Sequence, residues 1–265
     1  YDEAANFYYS SDFPAGLFAQ TKTIFSLQHW LMILDILRLK KIAEADLQSP
    51  EINSLSLGKY LEEKSFSKAF IERYILPMGA AIWSCSQEEI LSFPAKSYLS
   101  FWSNHLLFNI TDRPIWRTVS GGSHEYIKAI LKQLQAPHSV HLNTPVKNIS
   151  NTDNGVTITT EHGSFDFDKV IIATHADQAL SLLDDPSADE TRLLGPWRYS
   201  KNHTFLHKSS QFMPPKRNAW ASWEFNQQNA QGPLSVTYYM NRLQSLRTHH
   251  DYFVTLNPHK DIPED

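Results

Sequence analysis

"PVKNISNTDNGVTITTEHGSFDFDKVIIATHADQALSLL", residues 145–183, decides how the chain folds. Three short runs, "PVKNIS", "VTITT" and "SFDFD", are separated by reversal signals at Asn154-Gly155 and His162-Gly163. Such dipeptides between half-apolar runs predict a meander of short antiparallel strands. The meander leads into "VIIAT", residues 170–174, a continuous apolar run expected to form a strand buried on both faces. "HADQALSLL" then restarts a helix.

Immediately before this unit stands "WRTVSGGSHEYIKAILKQLQ", residues 116–135. Apolar residues at 126, 127, 130, 131 and 134 predict an amphipathic helix, with Glu125 in the first turn where the helix dipole favours it. Gly121 and Gly122 ahead of that helix admit two readings. They make either a tight turn at a helix start or a backbone that passes close to a ligand, such as a phosphate, at a helix N-terminus.

Further out on the N-terminal side, residues 1–22 are aromatic-rich with a Pro-Ala-Gly turn, which suits an extended arm or hairpin. Residues 24–45 repeat apolar positions at helical spacing. Two or three short helices are expected over 56–84, one capped by Ser65 or Ser67 and broken or kinked at Pro77. Another helix enters through Pro94. On the C-terminal side, "HTFLHK", "NAWASWEF", "LSVTYYM" and "YFVTL" predict a mixed or antiparallel sheet, one face of which holds Trp220, Trp223, Tyr238 and Tyr239. The order is helices, a helix–meander–strand unit, then a sheet: an α+β chain with two interleaved domains.

Composition narrows the function. Forty-two per cent hydrophobic and 20% charged residues in 265 describe a globular protein, and a net charge of −4 with interspersed signs gives no footprint for nucleic acid or an anionic membrane. The most apolar stretch, residues 24–39, contains Gln28, His29, Asp35 and Arg38, so no transmembrane segment is expected. Cys85 is the only cysteine; it excludes an intrachain disulfide and fits a reducing compartment, the cytoplasm. His203 and His207 stand too far apart on a strand to share a metal, so no metal site is predicted. None of the nine glycines forms G-x-G-x-x-G or a P-loop. Ser65-Phe66-Ser67-Lys68 matches S-x-x-K, the pair of serine–lysine hydrolases, without its companion motifs. The chain has no initiator Met and ends on no terminal-looking element, so it is expected to be part of something longer.

The run 117–183 resembles the middle of flavin-containing amine oxidases and the phytoene-desaturase-like proteins. The shared order is the glycine-pair turn, the helix, "VHLNTPVKNI", the hairpin closing on "GVTI", an acidic reversal and "VIIAT". "FIERYILPMGAAIWS", "FWSNHLL", "ATHADQALSLL", "NRLQSL" and "FVTLNP" extend the likeness over nearly the whole chain, to a bacterial subgroup described as NAD/FAD-binding proteins. The resemblance implies an FAD-dependent oxidoreductase in which flavin N5 accepts a hydride equivalent from a substrate that is not legible, with a slight leaning to hydrophobic ones.

It also implies an α/β parent. Residues 1–115 would be the helical part of a substrate domain. Residues 116–183 would be a helix–β-meander–strand segment returning to an FAD-binding, Rossmann-like domain, and 184–265 the sheet part of the substrate domain. Val146 would meet adenine through its backbone, Ala173 and Thr174 would face the cofactor, and Gly121 and Gly122 would approach it. Catalytic residues are not identified: in many relatives a lysine on a sheet strand holds a water against the flavin, and Lys201 or Lys208 could play that part, but no motif fixes the alignment.

Substrate-binding candidates are Trp83, Trp102, His105, Trp223, Tyr238 and Asn241, because aromatics wall apolar pockets while amides and imidazoles orient ligands. The expected partners are a small-molecule substrate and the absent N- and C-terminal segments of the parent, without which the fragment should bind FAD weakly or not at all and be inactive. Two other readings remain open: a non-enzymatic binding module that uses the aromatic sheet face, and a hydrolase at Ser65 and Lys68.

Overall fold

The computed structural model describes residues 1–12, 14–108, 117–134, 138–226 and 235–263. Two compact units emerge. One comprises residues 1–125 and 202–265, the other residues 126–201. The expected boundary at 115–116 lies outside the described residues.

The first unit begins with an arm closed by a bridge between Asp2 and Phe7. Its helices are α1 (Leu27–Gln48), α2 (Leu57–Glu63), α3 (Lys68–Phe70), α4 (Leu76–Trp83), α5 (Gln87–Ser92) and α6 (Ala95–Asn104). Serines start most of them. Ser26, Ser56 and Ser67 accept from His29, Lys59 and Phe70 N–H groups that have no partner inside their own helices. Ser86 and Glu89 cap α5 reciprocally. Of the two serines expected to cap the helix before Pro77, Ser67 does so; Ser65 occupies a left-handed turn instead.

Pro77 neither breaks nor ends its helix. A π-helical turn, Ile71–Ile75, joins α3 to α4, with the Leu76 N–H donating to the Ile71 carbonyl. Helical backbone angles continue through the junctions until Ser84, left-handed at φ 50°, stops α4. Proline removes a donor from the ladder, and the wider π turn accommodates its ring without ending the helix.

These helices enclose one core that includes Trp102, Tyr60, Tyr98 and Phe70, all essentially fully buried. Removing an aromatic of this kind to alanine costs about 3–5 kcal/mol.

The same unit holds β4 (Thr204–His207), β5 (Trp223–Asn226), β6 (Ser235–Tyr239), β7 (Phe253–Leu256) and a short helix, α10 (Met240–Leu243). The sheet is entirely antiparallel in the order β4-β7-β6-β5. Trp223 pairs with Tyr238 across β5 and β6. Tyr239, one residue on, points to the opposite face, where its ring meets Trp220 and Phe253. The expected single aromatic face is therefore two faces, because strand alternation separates Tyr238 from Tyr239.

The second unit contains the meander β1 (Val146–Thr152), β2 (Gly155–Thr160) and β3 (Gly163–Phe167), paired in that order. Helices α8 (Ala176–Leu182) and α9 (Ala188–Leu194) follow it. Ile149 bridges to Leu183, and Asp184 N–H donates to the Ile149 carbonyl, which ties β1 to the end of α8. Helix α7 (His124–Gln133) leads in from the glycine pair, and none of its residues is buried.

"VIIAT" does not form the strand expected of it. Residues 170–174 are assigned no strand, and Ile171 is 93% exposed. An apolar run becomes a buried strand only when neighbouring strands cover it, and among the described residues none pairs with it. The short "VHL" run likewise forms no strand.

Candidate functional site

The glycine pair is shaped by its backbone. Gly121 and Gly122 take φ of +85° and +93°, values that side chains with a Cβ rarely adopt. A Cβ at Gly122 would meet nothing within 4 Å, whereas one at Gly121 would lie 3.1 Å from Glu125 Cγ. The loop thus offers open space beside Gly122. Glu125, in the first turn of α7, already places a carboxylate at the helix start, which makes the position a poor cradle for phosphate.

In the second unit, Val146 opens β1 beside a register shift between Val146 and Asn148. Its backbone pairs opposite Thr160. Ala173 and Thr174 are exposed on the unpaired apolar run, and the Thr174 hydroxyl donates to the His175 carbonyl. His175 lies flat on Tyr199, with centroids 4.1 Å apart, and the Tyr199 hydroxyl accepts from the Ala176 N–H. This corner is fixed, polar at its edge and open along Val170 to Ala173. Among the described residues no glycine-rich turn for a pyrophosphate stands beside it.

The six substrate candidates do not converge. Trp102 lies in the core, stacked on Tyr98 and edge-on to Tyr74, with no exposed surface. Trp83 is half-buried among Phe93, Tyr98 and Phe101. His105 ends α6, exposed, its ring stacked on Phe101 and its Nδ1 2.8 Å from the Phe101 carbonyl. Asn241 donates to Thr248 and to the His250 carbonyl and accepts from the Tyr252 N–H, so its amide closes the 241–252 loop. Trp223 and Tyr238 alone stand side by side, half-buried on one sheet face.

A broad open groove of about 1160 Å³ runs along β4 and the segment after β7, lined in part by His203, Phe205, Leu206, Tyr252 and Lys260. Lys208 also reaches it, while none of the six substrate candidates lines it. For the serine–lysine reading, Lys68 lies 3.5 Å from Glu72, and the Ser65 carbonyl accepts from Arg38.

Sequence reasoning passed over the other sheet face. There a buried polar chain crosses all four strands: Asn226 Nδ2 donates to Thr237 Oγ1, which lies 2.9 Å from Thr255 Oγ1, itself 2.8 Å from His207 Nε2. Glu224 shares this face, and Ala221 N–H donates to its carboxylate at 2.7 Å. Burial pushes its pKa up to about 7, against the opposing pull of the Tyr1 ammonium, the Ala221 N–H and Arg242. The signal was present in "WEF", where alternation sets Glu224 apart from Trp223 and Phe225. Cys85 is half-buried, and desolvation pushes its thiol up to about 11, so it stays protonated and unreactive at neutral pH. Among the described residues no His, Cys, Asp and Glu side chains gather as a metal site, and no helix is long and apolar enough to cross a membrane.

Comparison with known proteins adds a family and a fold. The model of the flavin containing amine oxidoreductase family matches residues 17–204. No curated protein matches the chain. Among solved structures, a variant of putrescine oxidase redesigned in cofactor binding aligns at 12% identity and a TM-score of 0.58, covering 86% of this chain and 51% of that one. Putrescine oxidase bound to putrescine aligns at 14% and 0.56, covering 86% and 51%. A CLA-producing fatty acid isomerase from P. acnes aligns at 14% and 0.58, covering 90% and 55%. The chain spans about half the length of these structures, and identities this low speak for the fold alone. With a family model aligned over well more than half of its residues, the chain belongs to the flavin-containing amine oxidoreductases.

Proposed function

We propose that the chain is the central part of an FAD-dependent oxidoreductase acting on a small, apolar-leaning substrate in the cytoplasm. When bound, FAD supplies the hydride acceptor; the protein supplies orientation, water exclusion and electrostatics. In this reading Val146, Ala173 and Thr174 are the second unit's candidates for flanking the cofactor, and Gly121 and Gly122 are the first unit's. Trp223 and Tyr238 present the aromatic surface toward substrate, being the one adjacent pair among the candidates.

The observation that carries the reading is Ile171, an aliphatic side chain 93% exposed within an apolar run that has no strand partner among the described residues. The α7 face of Tyr126, Ile127, Ile130 and Leu131 is exposed in the same way. Such surfaces suit a segment that completes its packing against polypeptide encoded elsewhere in the parent. The pyrophosphate-binding turn belongs to that other polypeptide, so this chain alone holds FAD weakly and is inactive.

The test is to express the uninterrupted gene and the 265-residue chain in parallel and record visible spectra after gel filtration. A full product carrying stoichiometric flavin, beside a colourless chain, is the expected result. A full product that stays colourless after incubation with FAD would remove the proposal, and a stoichiometrically yellow short chain would remove its claim of dependence on absent segments.

A further inference from the structure

Helix α1 is apolar on two sides. Met32, Ile36, Leu39 and Ala43 face the helical core, while Leu27, Trp30, Leu31, Leu34 and Leu37 recur at helical spacing on the outside. Ile24 and Phe25 in the preceding turn extend the outer stripe; Phe25 is 89% exposed, Leu27 74% and Leu34 58%. An apolar stripe of this length on the outside of a folded unit marks an interaction surface rather than scattered exposure.

Charge along the stripe is segregated. Continued past Leu37 it reaches Arg38 and Lys41, with Lys40 alongside, and Lys22 stands at the other end. Lys40 and Lys41 are exposed and make no ion pair among the described residues. Lys22 donates to the Asn6 carbonyl, and Arg38 lies 3.7 Å from the Asp35 carboxylate and donates to the Lys64 and Ser65 carbonyls, so Lys40 and Lys41 are the cations left to face outward. Asp35 is the only acid from Ile24 to Ala43; it is turned inward, accepting from the Ser67 N–H. The first exposed acid is Glu44, beyond the apolar stretch. A net charge of −4 conceals this local arrangement.

The geometry points to α1 as a membrane-surface element that lies in the headgroup–acyl boundary of an anionic bilayer. Phe25, Leu27, Leu31 and Leu34 enter the hydrocarbon edge, and Lys40 and Lys41 meet lipid phosphates. A second copy fits less well. A parallel pairing sets cation against cation, and a two-fold antiparallel one sets Lys40 and Lys41 over the apolar Ile24–Leu27 end, leaving both without a carboxylate opposite. The helix does not cross the bilayer, since it is not long and apolar enough. The inference rests on α1 alone and is independent of the flavin reading.

Flotation with vesicles tests it, using the 265-residue chain and, beside it, the longer parent proposed above as the full product. Both are expected to float with equimolar phosphatidylcholine and phosphatidylglycerol and far less with phosphatidylcholine alone. Lys40→Gln with Lys41→Gln should weaken binding roughly thirtyfold, and Leu31→Gln with Leu34→Gln should abolish it, both variants keeping the parent's unfolding midpoint. Equal binding to neutral and anionic vesicles would overturn the proposal. So would flotation of the short chain without the full product, which assigns the stripe to an internal contact. A concentration-dependent dimer lost in the Leu31/Leu34 variant, without vesicle binding, would assign it to a second copy.

Discussion

The Tyr9 hydroxyl donates to the Arg73 carbonyl at 2.7 Å, supplying a donor where Pro77, one turn further on, has none. The arm that carries Tyr9 is held further by Phe7, whose ring lies 4.4 Å below the Arg73 guanidinium. Phe7 and Tyr9 also flank the buried His29, whose pKa burial lowers. One helical irregularity thus anchors a segment more than sixty residues away in sequence.

Tyr9→Phe should destabilise the fold by about 1 kcal/mol, the cost of leaving a partly buried carbonyl without this donor. Pro77→Ala restores an N–H near the same carbonyl, so the double variant should lose less than the two single losses combined. Urea denaturation of the four proteins checks this; strict additivity would mean that the two residues do not share the carbonyl.

Glu224 should make stability depend on pH. Its folded pKa of about 7 lies above the ordinary 4.5, so the folded state binds more protons than the unfolded state between those values. Stability is therefore full below about pH 4.5 and falls as pH rises to about 7, by about 3 kcal/mol at most. Glu224→Gln, which keeps an acceptor for the Ala221 N–H, should be more stable than the parent at pH 8 and no more stable at pH 4.5. Unfolding midpoints at the two pH values decide it.

Thr237→Val keeps the shape of the side chain and breaks the polar chain at its centre, leaving the Asn226 amide and the Thr255 hydroxyl without this partner. A loss of about 2 kcal/mol is expected. Thr255→Val should behave similarly, and the pair together should cost less than their sum, because each removes the same 2.9 Å contact. Chemical denaturation of the single and double variants measures the coupling.

Gly122→Ala should cost about 1 kcal/mol through its positive φ alone, since a Cβ there meets no protein atom. In the longer parent proposed above, that Cβ would occupy the space the cofactor is proposed to approach. Flavin content after gel filtration is expected to fall further in Gly122→Ala than in Gly121→Ala, whose Cβ points toward Glu125.

Much of the architecture was legible because it is local. The Asn-Gly and His-Gly reversals specify the β1–β2–β3 meander, and apolar periodicity specifies α1, α6 and α7. Legibility ended where a property depends on partners distant in sequence. "VIIAT" reads as a strand, but a strand exists only with neighbours. The aromatic sheet face failed on register: Tyr238 and Tyr239 are adjacent in sequence and opposite in space. Trp102 and Asn241 were attractive as ligand-binding side chains by type, yet one fills the core and the other ties a loop. Family membership was legible from the ordered short motifs between the glycine pair and Thr174, while Glu224 and the threonine chain needed the sheet register to be seen at all.

The π turn also sets the phase of everything downstream. One additional residue in a helical screw rotates all that follows by about 100°. Leu76, Ala80 and Trp83 therefore face their present neighbours because the chain is one residue longer than a regular helix between α3 and α4 requires. Deleting a single residue from 71–75 would leave composition and hydropathy almost unchanged, yet it would swing Trp83 out of its cluster with Phe93 and Phe101. At this place residue count, rather than residue type, is the quantity under constraint.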